Sequence, residues 1–252
     1  MPTVLLRLSA PYQAWGLRSR WEEHATAPRP TKSGVLGLVA NALSRDHGDD
    51  LSDLGRLLFA VRADRPGAVL VDEQTAGGGF FPLTPLTASR PKTDNNPHWY
   101  GAPRRPELGV TGVLEVSHHA SLRDPVLITK HYLADAAFLA GLTTDDTALA
   151  DRILQGLHRP SRLLFLGRRC CPPAHPVGHG LTHHGLDQWP HRIALLPEAT
   201  DPHPRVWTET PPGPGSEPSP EQAPSTVTAR DHRLLHLRTT YAAPPIRPEN
   251  SP

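Results

Sequence analysis

The stretch Pro30-Thr31-Lys32-Ser33-Gly34-Val35-Leu36-Gly37 continues as Leu38-Val39-Ala40-Asn41-Ala42-Leu43 and determines where the first helix begins. Apolar residues recur there at i, i+3, i+4 and i+7, which predicts an amphipathic helix over about residues 33–46. Thr31 or Ser33 can serve as its N-cap, because either hydroxyl can accept a hydrogen bond from a first-turn N–H group. The positive end of the helix dipole then lies beside Lys32, which predicts an anion site with phosphate as the natural ligand.

The pattern around this helix separates two classes of phosphate ligand. No G-x-x-x-x-G-K-[ST] motif precedes the helix, which argues against a nucleoside triphosphatase. A nucleic-acid backbone fits better, although the net charge of the 252 residues is only +1. Net charge does not exclude that partner, because basic residues act through their local clustering.

Composition bounds the compartment and the cofactors. The sequence has no run of eighteen apolar residues and no cationic leader with a cleavage site, so we expect a cytoplasmic protein without membrane contact. The two cysteines, Cys170 and Cys171, are adjacent and give no disulfide framework. Their spacing and that of His183-His184 also do not match zinc motifs, so we expect no metal and no cofactor.

Periodicity along the chain predicts an α+β fold with a ferredoxin-like βαββαβ core. The elements after the N-terminal strand and first helix include a second helix over 145–157, capped by Thr144 or Asp145. The predicted strands are 3–8, 60–64, 69–72, 132–140 and 163–166, with a short apolar-periodic piece at 51–59.

Changes in composition predict the domain organisation. We expect the core to comprise residues 1–75 and 129–171, with a protruding insertion over 76–128 that lacks core periodicity. A small, irregular, β-rich C-terminal region follows over 172–243, with a flexible connector at 210–224, a last strand at 233–238 and a disordered tail over 244–252.

Two basic clusters are candidate ligand contacts. The loop before the first helix mixes aromatic and cationic residues, as single-stranded RNA binding requires. Its candidate contacts are Trp15, Arg18, Arg20 and the polar Gln13. The alternative is that the tryptophans only anchor the loop to the core, and the neighbouring Thr31-Lys32-Ser33-Gly34 favours binding.

The second cluster, Gly167-Arg168-Arg169-Cys170, follows the predicted strand 163–166. Arginine forks suit phosphate oxygens. Two solvated surface arginines are the alternative, and the predicted topology favours one basic surface shared with the first helix start.

Two further groups leave alternatives open. Lys130-His131-Tyr132 offers acid, base and cation types for metal-independent RNA cleavage, so a metal-independent endoribonuclease is the alternative function. In the insertion, Arg104 and Arg105 either clamp an extended strand or belong to a solvated hairpin.

These motifs together resemble the CasD family, the subunit of the type I-E CRISPR surveillance complex Cascade, within the RAMP superfamily. The matching pieces are Leu5-Leu6-Arg7-Leu8, Gln13-Ala14-Trp15-Gly16, Pro30 to Leu38, Val61-Arg62-Ala63-Asp64, Tyr132 to Phe138 and Leu166 to Pro172. They span about residues 3–176 in the family's order.

The resemblance implies an RRM-like N-terminal domain with a thumb-like β-hairpin formed by the insertion. It also implies a non-catalytic role: gripping the repeat-derived 5′ handle of the CRISPR RNA (crRNA) and capping the backbone filament beside the large subunit. The implied partners are crRNA, the backbone subunit, the large subunit and, indirectly, target DNA. The sequence departs from the family at Cys170-Cys171, where relatives usually show a serine before a single cysteine.

Overall fold

A computed structural model describes residues 1–16, 22–46, 48–76, 107–108, 114–115, 126–209, 217–227 and 233–243. The chain divides into two compact units. The first comprises Met1–Ser19, Ala25–Leu70 and His131–Pro252, and the second comprises Arg20–His24 and Val71–Lys130.

The described residues form eleven strands and four helices. In chain order they are β1 (Thr3–Gln13), β2 (Glu23–His24), α1 (Lys32–Ala42), α2 (Ser52–Gly55), β3 (Leu58–Arg65), β4 (Ala68–Ala76), β5 (Glu107–Leu108), β6 (Leu114–Glu115), β7 (Val126–Thr143), α3 (Thr147–His158), β8 (Gly178–Thr182), α4 (Trp189–Arg192), β9 (Arg205–Thr208), β10 (Glu217–Val227) and β11 (Arg233–Ala243).

The first unit is built on an antiparallel sheet with the strand order β10-β11-β9-β3-β7-β1-β8. β1 lies between β7 and β8, and Leu8 pairs with Phe138 in the register of β1 and β7. The predicted α+β class, a sheet-rich fold of mixed helices and antiparallel strands, is confirmed.

Alternate residues of the central strands bury two separate apolar faces, as the two-residue period of a strand requires. Val4 and Leu6 pack with residues of α1 and α3 in the main core. Leu5 faces the other way and packs with Leu139 and Trp189 of α4 in a smaller core. The sheet of this unit is therefore covered on both faces.

A buried ion pair holds the segment around α4 against the sheet. Arg62 and Asp64 of β3 have fully buried side chains, and the Arg62 guanidinium donates to both carboxylate oxygens of Asp64. Arg62 also donates to the carbonyls of Pro190 and Ile193. Because every contact is a charge-assisted hydrogen bond inside the protein, this pair fixes the α4 segment in position.

The second unit contains β2, most of β4, the β5–β6 pair and the first residues of β7. Glu23 of β2 pairs in parallel with Thr129 of β7, and β5 and β6 form an antiparallel pair. Lys130 Nζ donates to Gln74 Oε1 over 2.6 Å. Most of the predicted insertion over 76–128 lies outside the described residues.

Several predicted elements require correction. The first helix ends at Ala42 instead of residue 46, and the cap of the second helix is Asp146, whose carboxylate accepts from Leu149 N, instead of Thr144 or Asp145. The predicted connector 210–224 is wrong over residues 217–224, which belong to β10. Residues 210–216 and the tail 244–252 lie outside the described residues.

The predicted strand 163–166 does not form. Leu163 is 90% exposed, and the backbone of Leu166 bonds to Ala14 and Cys171 without forming a ladder. The edge beside β1 is occupied by β8, whose sequence Gly-His-Gly-Leu-Thr has no strand-like alternation. The predicted strand at 233–238 does form and continues to residue 243.

Candidate nucleic-acid interface

A cleft of about 700 Å³ lies in the first unit, where α1 meets two loops. Its walls come from the end of β1, the start and outer side of α1, the α2 region and the loop after α3. Residues with polar or aromatic groups in the lining are Trp15, Thr31, Ser33, Asn41, Arg45, Asp46, Arg162, Phe165 and Arg168.

The start of α1 is held by a threonine cap. Thr31 is extended and its hydroxyl accepts a hydrogen bond from Gly34 N over 3.2 Å, so Thr31 is the N-cap. The Ser33 hydroxyl lies 3.3 Å from that of Thr31 and is half-buried. Thr31, Ser33 and Gly34 all line the cleft, which places the first turn of α1 at its wall.

Trp15 and Gln13 are buried and form the support behind this wall. The indole Nε1 of Trp15 donates to Gln13 Oε1 over 3.0 Å, and the Gln13 amide donates to the carbonyls of Leu8 and Ala136. A methyl group on Gly34 would come within 2.8 Å of the Trp15 ring. Trp15 therefore packs under α1, which agrees with the alternative that it anchors the loop to the core.

The Lys32 side chain is buried and does not line the cleft. It is 3% exposed, and its ammonium group lies 3.0 Å from the Glu209 carboxylate and 3.3 Å from the carbonyl of Gly55. A buried, paired ammonium group is not available to a phosphate in this conformation. Lys32 is therefore a structural residue here, although the sequence placed it at the centre of the anion site.

The loop after α3 brings the cation Arg168 to the cleft, and this cation lies over the ring of Tyr132 on β7. Arg168 donates from Nη1 to the carbonyl of His131 over 3.1 Å, and its guanidinium carbon lies 4.6 Å from the centre of the Tyr132 ring. Tyr12, which is 47% exposed, meets Tyr132 edge to face at 6.2 Å. These groups form a cationic and aromatic surface where the end of β1 lies beside β7.

A close backbone approach fixes this loop. Gly167 has φ +91°, and a Cβ there would lie 1.5 Å from the carbonyl oxygen of Ala14. Ala14 N donates to the carbonyl of Leu166 over 3.0 Å. Only glycine fits both the backbone angle and the space, so the predicted shared surface of the two clusters depends on Gly167.

Two arginines that the sequence did not single out stand at the other end of the cleft. Arg45 pairs with Asp53, and Arg162 lies 2.7 Å from Asp46 and donates to the carbonyl of Ser44. The hydrogen bond to Asp53 raises the pKa of Arg45. No local motif marks either arginine in the sequence, because Arg45 follows the end of α1 and Arg162 lies in the loop after α3.

The remaining predicted residues divide into exposed and undescribed ones. Arg169 and Cys170 are exposed beside Arg168. Arg18, Arg20, Arg104 and Arg105 lie outside the described residues. Thr31, Ser33, Gly34 and Arg168 thus line one cleft together with the buried Trp15. Gln13 and Lys32 are buried and do not line it.

Comparison with known proteins identifies the class. The chain is a CRISPR-associated protein: the sequence model of the family described as "CRISPR-associated protein (Cas_Cas5)" matches residues 3–201. The chain therefore belongs to the Cas5 family. It is 28% identical over 179 residues to the CRISPR system Cascade subunit CasD of Escherichia coli (strain K12), which covers 69% of this chain and 68% of that protein.

Solved structures agree with this assignment. One titled "Crystal structure of Cas protein" matches with a TM-score of 0.65 and 27% identity over 96% of this chain and 93% of that one. A chain of a "CRISPR RNA-guided surveillance complex" matches with a TM-score of 0.63 and 25% identity, over 97% and 90%. Among the residues that the structure describes, no helix is long and apolar enough to cross a membrane.

Proposed function

We propose that this protein is a non-catalytic, RNA-binding subunit of a type I-E CRISPR Cascade complex. It grips the repeat-derived 5′ handle of crRNA and caps the backbone filament next to the large subunit. The observation that carries the proposal is the cleft of the first unit, where Arg45, Arg162 and Arg168 line one cavity with the first turn of α1. The likeness to CasD of E. coli and to a chain of an RNA-guided complex supports it.

The arrangement of strands supports the finer part of the fold proposal, a ferredoxin-like core. In that fold the six elements run βαββαβ and the fourth strand pairs with the first. Here β1, α1, β3, β7, α3 and β8 follow one another in the first unit, and their strands lie in the order β8-β1-β7-β3. We propose that β8 is the fourth strand and that residues 76–128 form the thumb.

The chemistry of the cleft fits a single RNA strand better than a nucleotide. Guanidinium groups bind phosphate oxygens through paired hydrogen bonds, and an exposed tyrosine ring stacks on any base. Arg168 lies over the Tyr132 ring, which the exposed Tyr12 ring meets edge to face, and Arg169 is the next, exposed residue. The half-buried Ser33 hydroxyl adds a polar contact at the helix start. Lys32 has no part in this contact, because Glu209 holds its ammonium group.

Arginine removal tests the site directly. We expect Arg169→Ala to weaken the binding of 5′-handle RNA and to lower the slope of log K against log salt by about 0.7, the value for one phosphate contact on a single strand. Fluorescence anisotropy of labelled handle RNA between about 50 and 200 mM salt measures both quantities. The matched control is Arg192→Ala, which removes an exposed arginine from α4 on the other side of the sheet.

Equal binding curves for Arg169→Ala, Arg168→Ala and the control would place the RNA elsewhere. Cutting of repeat RNA by the purified chain in EDTA, stopped by His131→Ala, would overturn the non-catalytic role. Equal incorporation into complexes assembled on crRNA without its handle would show a scaffold that does not grip this segment.

A further inference from the structure

Cys170 and Cys171 are adjacent thiols at the turn that carries Arg168, which lines the cleft, and the exposed Arg169. Cys171 N donates to the carbonyl of Arg168 over 2.9 Å, which closes a four-residue turn, and Leu166 N donates to the carbonyl of Cys171 over 2.7 Å. The two Sγ atoms are 3.9 Å apart. Nothing in the proposed RNA contact requires two thiols at this place.

The two thiols differ in reactivity. Cys170 is exposed, and its Sγ lies 3.7 Å from the hydroxyl of Tyr132. Cys171 is 1% exposed, and burial, followed by the neighbouring Cys170, raises its pKa to about 12. The exposed thiol, which follows Arg169 in the chain, is the one that an oxidant reaches first, and the buried thiol stays protonated beside it.

We propose that Cys170 and Cys171 form a reversible vicinal disulfide under peroxide, making this turn an oxidation-sensitive site. In the first step the Cys170 sulfur attacks hydrogen peroxide, which gives Cys170 sulfenic acid and water. In the second, the Cys171 sulfur attacks that sulfenic acid, loses its proton and expels a second water. The two thiols together lose two electrons and two protons, which reduce one peroxide to two waters.

The geometry allows the bond and makes it easily reduced. The sulfurs must approach by about 1.9 Å to reach disulfide length, and rotation of the exposed Cys170 side chain supplies this movement. Consecutive Cα atoms are about 3.8 Å apart, below the usual 4.4–6.8 Å span of a disulfide. A strained, exposed disulfide has a high reduction potential, so cellular dithiols return it to the reduced form.

Closing the ring changes the turn that presents Arg168 and Arg169. The ring takes Cys170 Sγ away from Tyr132, the residue on which Arg168 stacks. We therefore expect oxidation to weaken RNA binding. This consequence rests on the proposed function, whereas formation of the disulfide does not.

The experiment treats the purified full-length chain with hydrogen peroxide and then with dithiothreitol. Intact-mass spectrometry under denaturing, non-reducing conditions should show a loss of about 2 Da, for two hydrogen atoms, that dithiothreitol reverses. Peptide mapping should place it within residues 170–171. The control is C170S, which keeps the buried Cys171 and should show no loss. Handle-RNA affinity is measured in parallel, before and after peroxide. It should fall several-fold on oxidation of the wild type, and peroxide should not change it in C170S.

Each outcome has a separate meaning. A disulfide-linked dimer, or sulfinic acid without the loss of about 2 Da, overturns the vicinal disulfide. A disulfide that leaves RNA affinity unchanged while Arg169→Ala lowers it overturns the coupling to the cleft. If the reduced wild type binds no handle RNA, the proposed function fails, and the mass measurement still decides the disulfide.

Discussion

Replacing Lys32 separates a structural role from a ligand role at the start of α1. The ammonium group is 3% exposed and lies 3.0 Å from Glu209, whose side chain is 10% exposed. Lys32→Met keeps most of the volume and leaves the Glu209 carboxylate without its cation. Removing one partner of a buried ion pair costs about 3–5 kcal/mol, because the other charge remains inside the protein.

The lower end of that range applies, since Glu209 Oε2 still accepts from Phe59 N over 3.0 Å. For a chain of this length a loss of about 3 kcal/mol lowers Tm by about 6–12 °C. Thermal and urea unfolding followed by circular dichroism measure it. The double variant K32M/E209Q removes both charges, and we expect it to recover about 1–2 kcal/mol relative to K32M.

RNA binding provides the opposing readout. At temperatures where K32M is folded, we expect its affinity for handle RNA to stay within about twofold of the wild type, because no phosphate contact is lost. Unchanged Tm together with weaker binding and a reduced salt slope would refute the structural role and return Lys32 to the phosphate site.

Two further predictions concern α1 and its surroundings. Gly34→Ala should destabilise the protein by about 1–3 kcal/mol, because the new methyl group meets the Trp15 ring. Gly37→Ala in the same helix meets nothing within 4 Å and should stabilise the protein by up to about 1 kcal/mol. Equal effects of the two substitutions in urea titrations would contradict this prediction. The Arg45 hydrogen bond outweighs burial and lowers the pKa of Asp53. Asp53→Asn should therefore cost up to about 1 kcal/mol above the ordinary Asp pKa of about 3.9, since the carboxylate is partly exposed, and cost nothing once the pH falls below the lowered native pKa. A cost independent of pH in unfolding measurements would indicate lost packing instead of charge.

The sequence predicted the elements whose own residues determine them. β1 and α1 follow from apolar periodicity, and the N-cap, Thr31, is one of the two residues that the sequence offered for it. The strand at 163–166 was predicted from an apolar run, but β8 occupies the edge beside β1 although it contains two glycines. Pairing with a distant strand decided that outcome, and periodicity carries no information about it.

The site shows the same division. The start of α1 and Arg168 line one cleft, as the sequence predicted, although the predicted strand 163–166 from which their closeness was expected does not form. That this cleft binds an anion remains a prediction. The direction of Lys32 was not predicted, because its partner Glu209 is 177 residues away in the sequence. Arg45 and Arg162 reach the cleft only through the packing of α1 and the loop after α3, which no local motif records.

The strand order also governs how the chain can fold during synthesis. β1 pairs with β7 and β8, so Thr3 has its partners only after Thr143 and Thr182 have been synthesised. The edge of β3 pairs with β9, which begins at residue 205. Such distant pairing makes folding slow, and an apolar strand without its partners can pair with other chains. Newly made protein therefore exposes its first strand until most of the chain has left the ribosome, and an early-binding chaperone should raise the soluble yield.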